Sequence, residues 1–341
     1  MRSRFKTLML FAVALVVLML TACPPGADPE PEPDPEPEIL SSWSATSTLN
    51  TARAGHSAVA YSGYLYVLGG GDADSLRIDS VEYAAINADG SLGAFAETTA
   101  LPFGLRYFRA FAYNDRIYIV GGNDESSAII ADVWYAPVNP DGTLGTWVET
   151  TSLSSACYEH GLATDGDTIY VFGGSFTRTQ TVEYATIASD GSVGAWQSGT
   201  ALLQERTRLA AVSHEDTVYV VGGDDGSLNR LLEVEYATIG LDQSLGAWST
   251  TTPLTAGRMA AEAVVAGDYL FVIGGSGTYT DTVEYAPFND DGTIGAWSAA
   301  AAPSYQPDNF AAVHYGSFIY VIGGYVGGEH RDTVEYAQFQ W

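Results

Sequence analysis

The chain has 341 residues, with 14 Lys and Arg against 41 Asp and Glu, and a net charge of −27. The imbalance comes from missing bases, Lys6 being the sole lysine; a basic surface for nucleic acid or anionic lipid is thereby excluded. A hydrophobic share of 46% and an aromatic share of 12% exclude a disordered chain, while 37 Gly and 21 Tyr point to many tight turns and strands.

The first element is an address. Arg2, Arg4 and Lys6 precede an apolar run from Leu8 to Leu20, too short to span a bilayer comfortably and of the length of a signal-peptide core. Leu20-Thr21-Ala22-Cys23 follows it and resembles the bacterial lipoprotein box, in which the cysteine is acylated and becomes the first mature residue. The resemblance implies an extracytoplasmic protein, lipid-anchored through Cys23 at the cell envelope, in the periplasm or at the cell surface. The lipid would be its only membrane contact. Residues 24–38 hold seven of the 14 prolines alternating with six acidic residues. Proline blocks helix and central strand and like charges repel, so this stretch reads as an extended tether. The only other cysteine is Cys157, which leaves no intrachain disulfide once Cys23 carries lipid.

From residue 39 onwards the chain repeats itself. Glycine pairs after an apolar run occur at Gly69-Gly70, Gly121-Gly122, Gly173-Gly174, Gly222-Gly223, Gly274-Gly275 and Gly323-Gly324, spaced by 52, 52, 49, 52 and 49 residues. Each pair is followed by Val-Glu-Tyr-Ala at Val81, Val182, Val234, Val283 and Val334, with Val-Trp-Tyr-Ala at Val133. A Gly-x-aromatic marker then ends at Phe95, Trp147, Trp196, Trp248 and Trp297. Short β-branched and aromatic runs between Gly, Asp and Asn turns predict four strands per unit, a to d. Asp89-Gly90, Asp141-Gly142, Asp190-Gly191 and Asp291-Gly292 fit c–d hairpin turns, Asp242-Gln243 standing in the fourth unit. The repeated ligand spacing of a calcium loop is missing from them, and no metal or cofactor is expected.

Gly-Gly, Tyr and Trp in that order, in units of about 50 residues, resemble the kelch repeat, whose fold is a β-propeller. The resemblance covers residues 39–341 and implies an all-β, six-bladed propeller, expected to act as a monomer. An isolated four-stranded blade exposes both faces, and a ring of blades buries them. The sixth unit runs out at Trp341 after strand c, while an orphan segment at 39–46 carries Trp43 at the strand d marker. The N-terminal strand is therefore expected to complete the last blade.

In such a blade the b–c and d–a connections share the face that surrounds the axial mouth. Arg53, Arg106, Arg109, Arg206, Arg208 and Arg258 fall at d–a connections or at the start of strand a; Arg77, Arg178, Arg230 and Arg331 fall in b–c connections, and only Arg116 maps to the opposite face. Twelve residues before each glycine pair stand Ser57, Arg109, Gly161, Ala210, Glu262 and Ala311. Arg109 and Glu262 interrupt this small-residue column three blades apart, on opposite sides of the axis, which makes them the preferred pocket. An Arg before strand a is common in kelch units, which implies a structural role for Arg53, Arg206 and Arg258 beside the ligand-binding one. Arg106, Arg109, Tyr158 and Arg208 depart from the unit pattern and complete the candidate ligand-binding set. His56 and His160 read as packing residues, and His214 and His314 as solvated residues of the far face.

A ligand-binding or protein-interaction module is the favoured function, its Arg-rich mouth gripping an anionic glycan or an acidic protein loop. The chain is also similar to bacterial N-acetylneuraminate epimerases, secreted six-bladed kelch propellers. That likeness implies a sialate mutarotase in which Glu262, or Glu159 with His160, supplies acid–base chemistry beside an arginine. Galactose oxidase also uses kelch units, but its copper site needs two His, two Tyr and a Cys linked to a Tyr. Cys157 and Tyr158 are adjacent in sequence and do not offer that geometry.

Overall fold

In every repeat the apolar run before the glycine pair becomes the second of four antiparallel strands, buried on both faces by the neighbouring blades. The computed structural model describes residues 39–174, 179–227, 229–276, 282–305 and 307–340; the leader, Cys23 and the tether lie outside them, as does Arg178. A compact unit extends from Glu38 to Trp341. It contains six four-stranded sheets and no helix among the described residues, and the sheets form a six-bladed β-propeller. The innermost strands are Ser57–Tyr61, Arg109–Tyr113, Gly161–Asp165, Ala210–His214, Glu262–Ala266 and Ala311–Tyr315.

Five blades are continuous in sequence. The sixth takes its outer strand, Ser44–Ala45, from the N-terminal side of the ring, paired antiparallel with Val334–Gln338 in the register Ser44↔Tyr336 and Ala45↔Glu335. Trp43 Nε1 donates to the Ala301 carbonyl at 2.8 Å, the same bond that Trp248 makes to Thr200 at 2.8 Å and Trp196 to Thr151 at 2.9 Å. The marker aromatic stands immediately before the paired residues of strand d, as Phe95 does before Ala96–Thr98, rather than within them.

The glycine pair is a backbone requirement. Gly69 and Gly70 have φ of 56° and 102°, and a Cβ on Gly69 would lie 2.6 Å from the Leu105 carbonyl oxygen of the next blade. Gly70 N–H donates to that same oxygen at 2.8 Å, so the pair is where the chain passes closest to its neighbour.

Packing between blades repeats as well. The strand b tyrosines donate to the c–d turn of the following blade: Tyr66 to Gly142, Tyr118 to Gly191, Tyr170 to Gln243, Tyr219 to Gly292 and Tyr320 to Gly90, all at 2.8–3.0 Å. Blade 5 has Phe271 there. Blade 6 lacks a c–d turn, because its outer strand comes from the other end of the chain, so a hydroxyl would have no acceptor. Phe271 packs edge-on against Phe339 instead, at 5.7 Å.

Candidate functional site

Arg53, Arg206 and Arg258 turn away from the mouth. Each side chain is at most 3% exposed and pairs with the glutamate of its own blade's Val-Glu-Tyr-Ala motif: Glu82, Glu235 and Glu284. Each also donates to the carbonyl of the first glycine of the pair, Gly69, Gly222 and Gly274, at 2.8–3.1 Å. The same glutamates accept backbone N–H groups of the preceding d–a connection, at Asn50, Leu203 and Thr255. Arginine and glutamate thus staple that connection to the blade, and no ligand-facing surface is left to these three guanidiniums. Blade 2 carries Leu105 and Trp134 at the two positions, an apolar substitute for the pair, with Trp134 packed edge-on against Phe103 at 6.3 Å.

The mouth itself is built from a backbone ring. Fourteen residues before each glycine pair stand Gly55, Tyr107, Glu159, Arg208, Ala260 and Asn309, and all six have positive φ, between 50° and 66°. Left-handed backbone costs a side-chain-bearing residue about 1–2 kcal/mol, so five such residues at equivalent positions need a common cause. Hydrogen bonds running around the axis supply it: Gly55 N–H donates to Asn309, Tyr107 to Gly55, Glu159 to Tyr107, Arg208 to Glu159 and Ala260 to Arg208, all at 2.7–2.9 Å. The conformation lets each inner connection reach across to the blade before it. Gly55 adds room as well, since a Cβ there would stand 2.8 Å from the ring of Tyr107.

Side chains from this ring and the next layer, including Tyr107, Glu159, Arg208, Asn309, Arg109 and Glu262, line an open-mouthed cavity of about 40 Å³. The preferred pair sits in its floor. Arg109 Nη1 donates to Glu262 Oε1 at 2.6 Å across the axis, and its other nitrogens donate to the carbonyls of His160 at 3.0 Å and Leu209 at 3.3 Å. A second cavity, lined chiefly by Ala58, Ala110, Leu162, Ala211, Ala263 and Ala312, shares Arg109 and Glu262, so the ion pair separates the two. Arg109 is thereby a crossbar with its charge matched, not an open anion site.

Arg208 pairs with Glu159, its Nε 3.1 Å from Oε1, with the arginine side chain 39% exposed and the glutamate 9%. Burial pushes the Glu159 carboxyl above its ordinary range against the pull of Arg208, and burial does the same to Asp308. Arg106 differs from every other arginine of the candidate set. It makes no ion pair and no side-chain hydrogen bond among the described residues, and its guanidinium lies 4.8 Å from the centre of the Tyr107 ring. Tyr158 completes this side of the mouth, its ring 6.3 Å from that of Tyr107.

His160 is fully buried beneath the ring, with Nδ1 3.4 Å from Cys157 Sγ. Burial first, and Arg109 second, hold its pKa down to about 3, while burial lifts the Cys157 thiol to about 12. His214 stacks on Phe288 at 4.0 Å and His314 is half-buried, so neither is the solvated residue expected. Tyr107 and Asn309 were missing from the sequence-derived set. Their column carries six unlike residue types, and the shared property is a backbone angle, which composition does not display. The departure of a single column from any repeat pattern is the one signal that marks it.

Residues 52–83 match the kelch motif. Among solved structures, one titled "Structure of YjhT" superposes with a TM-score of 0.67 at 14% identity, covering 85% of this chain and 95% of that one. At that identity the likeness speaks for the fold alone. No curated protein matches the sequence.

Proposed function

Starting from a six-bladed β-propeller that carries a kelch motif, we propose that the protein is a ligand-binding module held at the cell envelope by lipid on Cys23, and that its axial mouth takes a carboxylate-bearing glycan. The observation that carries this reading is Arg106, a cation lying over the ring of the cavity-lining Tyr107, with no ion pair and no side-chain hydrogen bond among the described residues. A guanidinium without a carboxylate partner can offer its terminal nitrogens to a ligand carboxylate as a bidentate pair of charge-assisted bonds. Tyr107 and Tyr158 offer ring faces to a sugar, and Glu159, Asp308 and Asn309 offer acceptors and donors to its hydroxyls. The Arg109–Glu262 crossbar gives the cavity a polar floor.

Binding of mature protein to a glycan array containing glucuronate-terminated chains tests the proposal. Arg106→Ala is expected to weaken that binding about tenfold or more, the weight of one charge-assisted contact, whereas Arg116→Ala on the opposite face leaves it unchanged. Equal binding by the Arg106 variant sinks the assignment, and capture of acidic peptides in place of glycans reassigns the mouth to an acidic protein loop. Loss of the protein from the membrane fraction in Cys23→Ser checks the anchor.

A second reading draws on Glu159. Burial holds the proton of this carboxyl above the ordinary carboxylate range, and such an acid can protonate the ring oxygen of a bound sugar acid while the anomeric hydroxyl gives up its proton, so opening the ring as a sialate mutarotase does. Anomeric exchange of free sialic acid, followed by NMR, separates catalysis from binding.

A further inference from the structure

The backbone ring at the mouth is open at one place. Five N–H groups donate around the axis from each blade to the one before it, but among the described residues the sixth link, from Asn309 N–H to the Ala260 carbonyl, is not made. Asn309 keeps the same left-handed backbone as the other members, with φ of 50°, so its N–H is aimed by the same geometry at blade 5. Its side chain is engaged elsewhere, donating from Nδ2 to Asp308 at 3.1 Å, and does not fill the gap. Both Asn309 and Ala260 line the mouth cavity.

We infer that this open link, between blades 5 and 6, is a ligand subsite for a hydroxyl group, which accepts from Asn309 N–H and donates to the Ala260 carbonyl through a single oxygen atom. The inference rests on the mouth-binding reading and narrows it: the ligand is a hydroxy acid of the sugar-acid class, its carboxylate on Arg106 and one hydroxyl completing the ring. The physical reason is accounting. The donor and the acceptor both line the mouth cavity and are half-exposed to it, and an atom that both donates and accepts is the smallest group that satisfies the two at once. An unsubstituted carboxylate accepts only and leaves the Ala260 oxygen unpaired.

Amide hydrogen exchange of the mature protein, resolved by NMR, reads the link directly. In the free protein the amides of Gly55, Tyr107, Glu159, Arg208 and Ala260 are expected to exchange slowly and that of Asn309 at least tenfold faster. D-Glucuronate, which carries both groups, slows Asn309 by tenfold or more, whereas glutarate, which has carboxylates and no hydroxyl, leaves it unchanged. Asn309 exchange as slow as its five counterparts in the free protein means that the link is already closed and overturns the inference. So does glucuronate binding, lost in Arg106→Ala, with no change at Asn309, a result that leaves the glycan reading standing. If glucuronate does not bind, the mouth reading fails first, and myo-inositol at high concentration decides the subsite: protection of Asn309 upholds it and no protection overturns it.

Discussion

His56 and His160 occupy equivalent positions in blades 1 and 3, one residue beyond the left-handed ring, where blades 2 and 6 carry Phe108 and Phe310. Burial, aided by Arg53 beside His56 and Arg109 beside His160, lowers both imidazoles from 6.5 to about 3. Between those values the unfolded chain binds two protons that the folded chain refuses. Stability is therefore complete above about pH 6.5 and drains away as the pH falls towards 3, by up to about 1.4 kcal/mol per pH unit for each residue. The raised carboxyls of Glu159 and Asp308 work in the opposite sense, favouring the fold below their unfolded values and losing that contribution as the pH rises. His56→Phe with His160→Phe, the residue their own column already uses, is expected to flatten the fall in thermal midpoint between about pH 6.5 and pH 4.5. Parallel midpoints for both proteins across that range would acquit the histidines. The packing role of these two residues was legible from the column they share. The structural role of Arg53, Arg206 and Arg258 was implied by the repeat, but not their partners: each reaches its own blade's glutamate, whereas Arg106 stands one residue later in its unit and its blade carries Trp134 where that glutamate would be.

Within the blades, a repeat's exceptions carry as much meaning as its rule. The tyrosine of strand b recurs because its hydroxyl reaches the next blade's c–d turn, and Phe271 replaces it where no such turn follows. Gln243 takes the glycine position of the fourth turn with φ of 66°, and its own Oε1 accepts a second bond from Tyr170 at 3.1 Å, which offsets part of the backbone cost. Phe271→Tyr is expected to destabilise the protein by about 1–3 kcal/mol by burying a hydroxyl without an acceptor, and Tyr219→Phe by about 1 kcal/mol for the lost bond. Urea unfolding of the two variants measures the difference. A Phe271→Tyr variant as stable as the parent would mean that the interface between blades 5 and 6 supplies an acceptor after all.

Across the whole molecule, the ring is held shut by a short strand. Ser44–Ala45 and the Trp43 indole are the outer edge of blade 6, so a chain starting at Ser47 should unfold at a clearly lower temperature than one starting at Ile39, with residues 24–38 contributing little. Equal midpoints would show that the ring closes without that strand. The number of blades, the strand order within each, the closing segment and the face bearing the arginines were all determined by the sequence alone, because a repeat forces its own periodicity on local structure and a blade cannot bury its faces except against another blade. What only the tertiary structure decided is which side chains meet across the axis. Arg109 and Glu262 are 153 residues apart and form the floor of the mouth, and five left-handed residues and a glycine join blade to blade through bonds that no local pattern encodes. Ring closure brings these groups together at distances set by the radius of the whole assembly, so their pairing, and with it which candidate arginine keeps no ion-pair partner among the described residues, could be read only from the folded molecule.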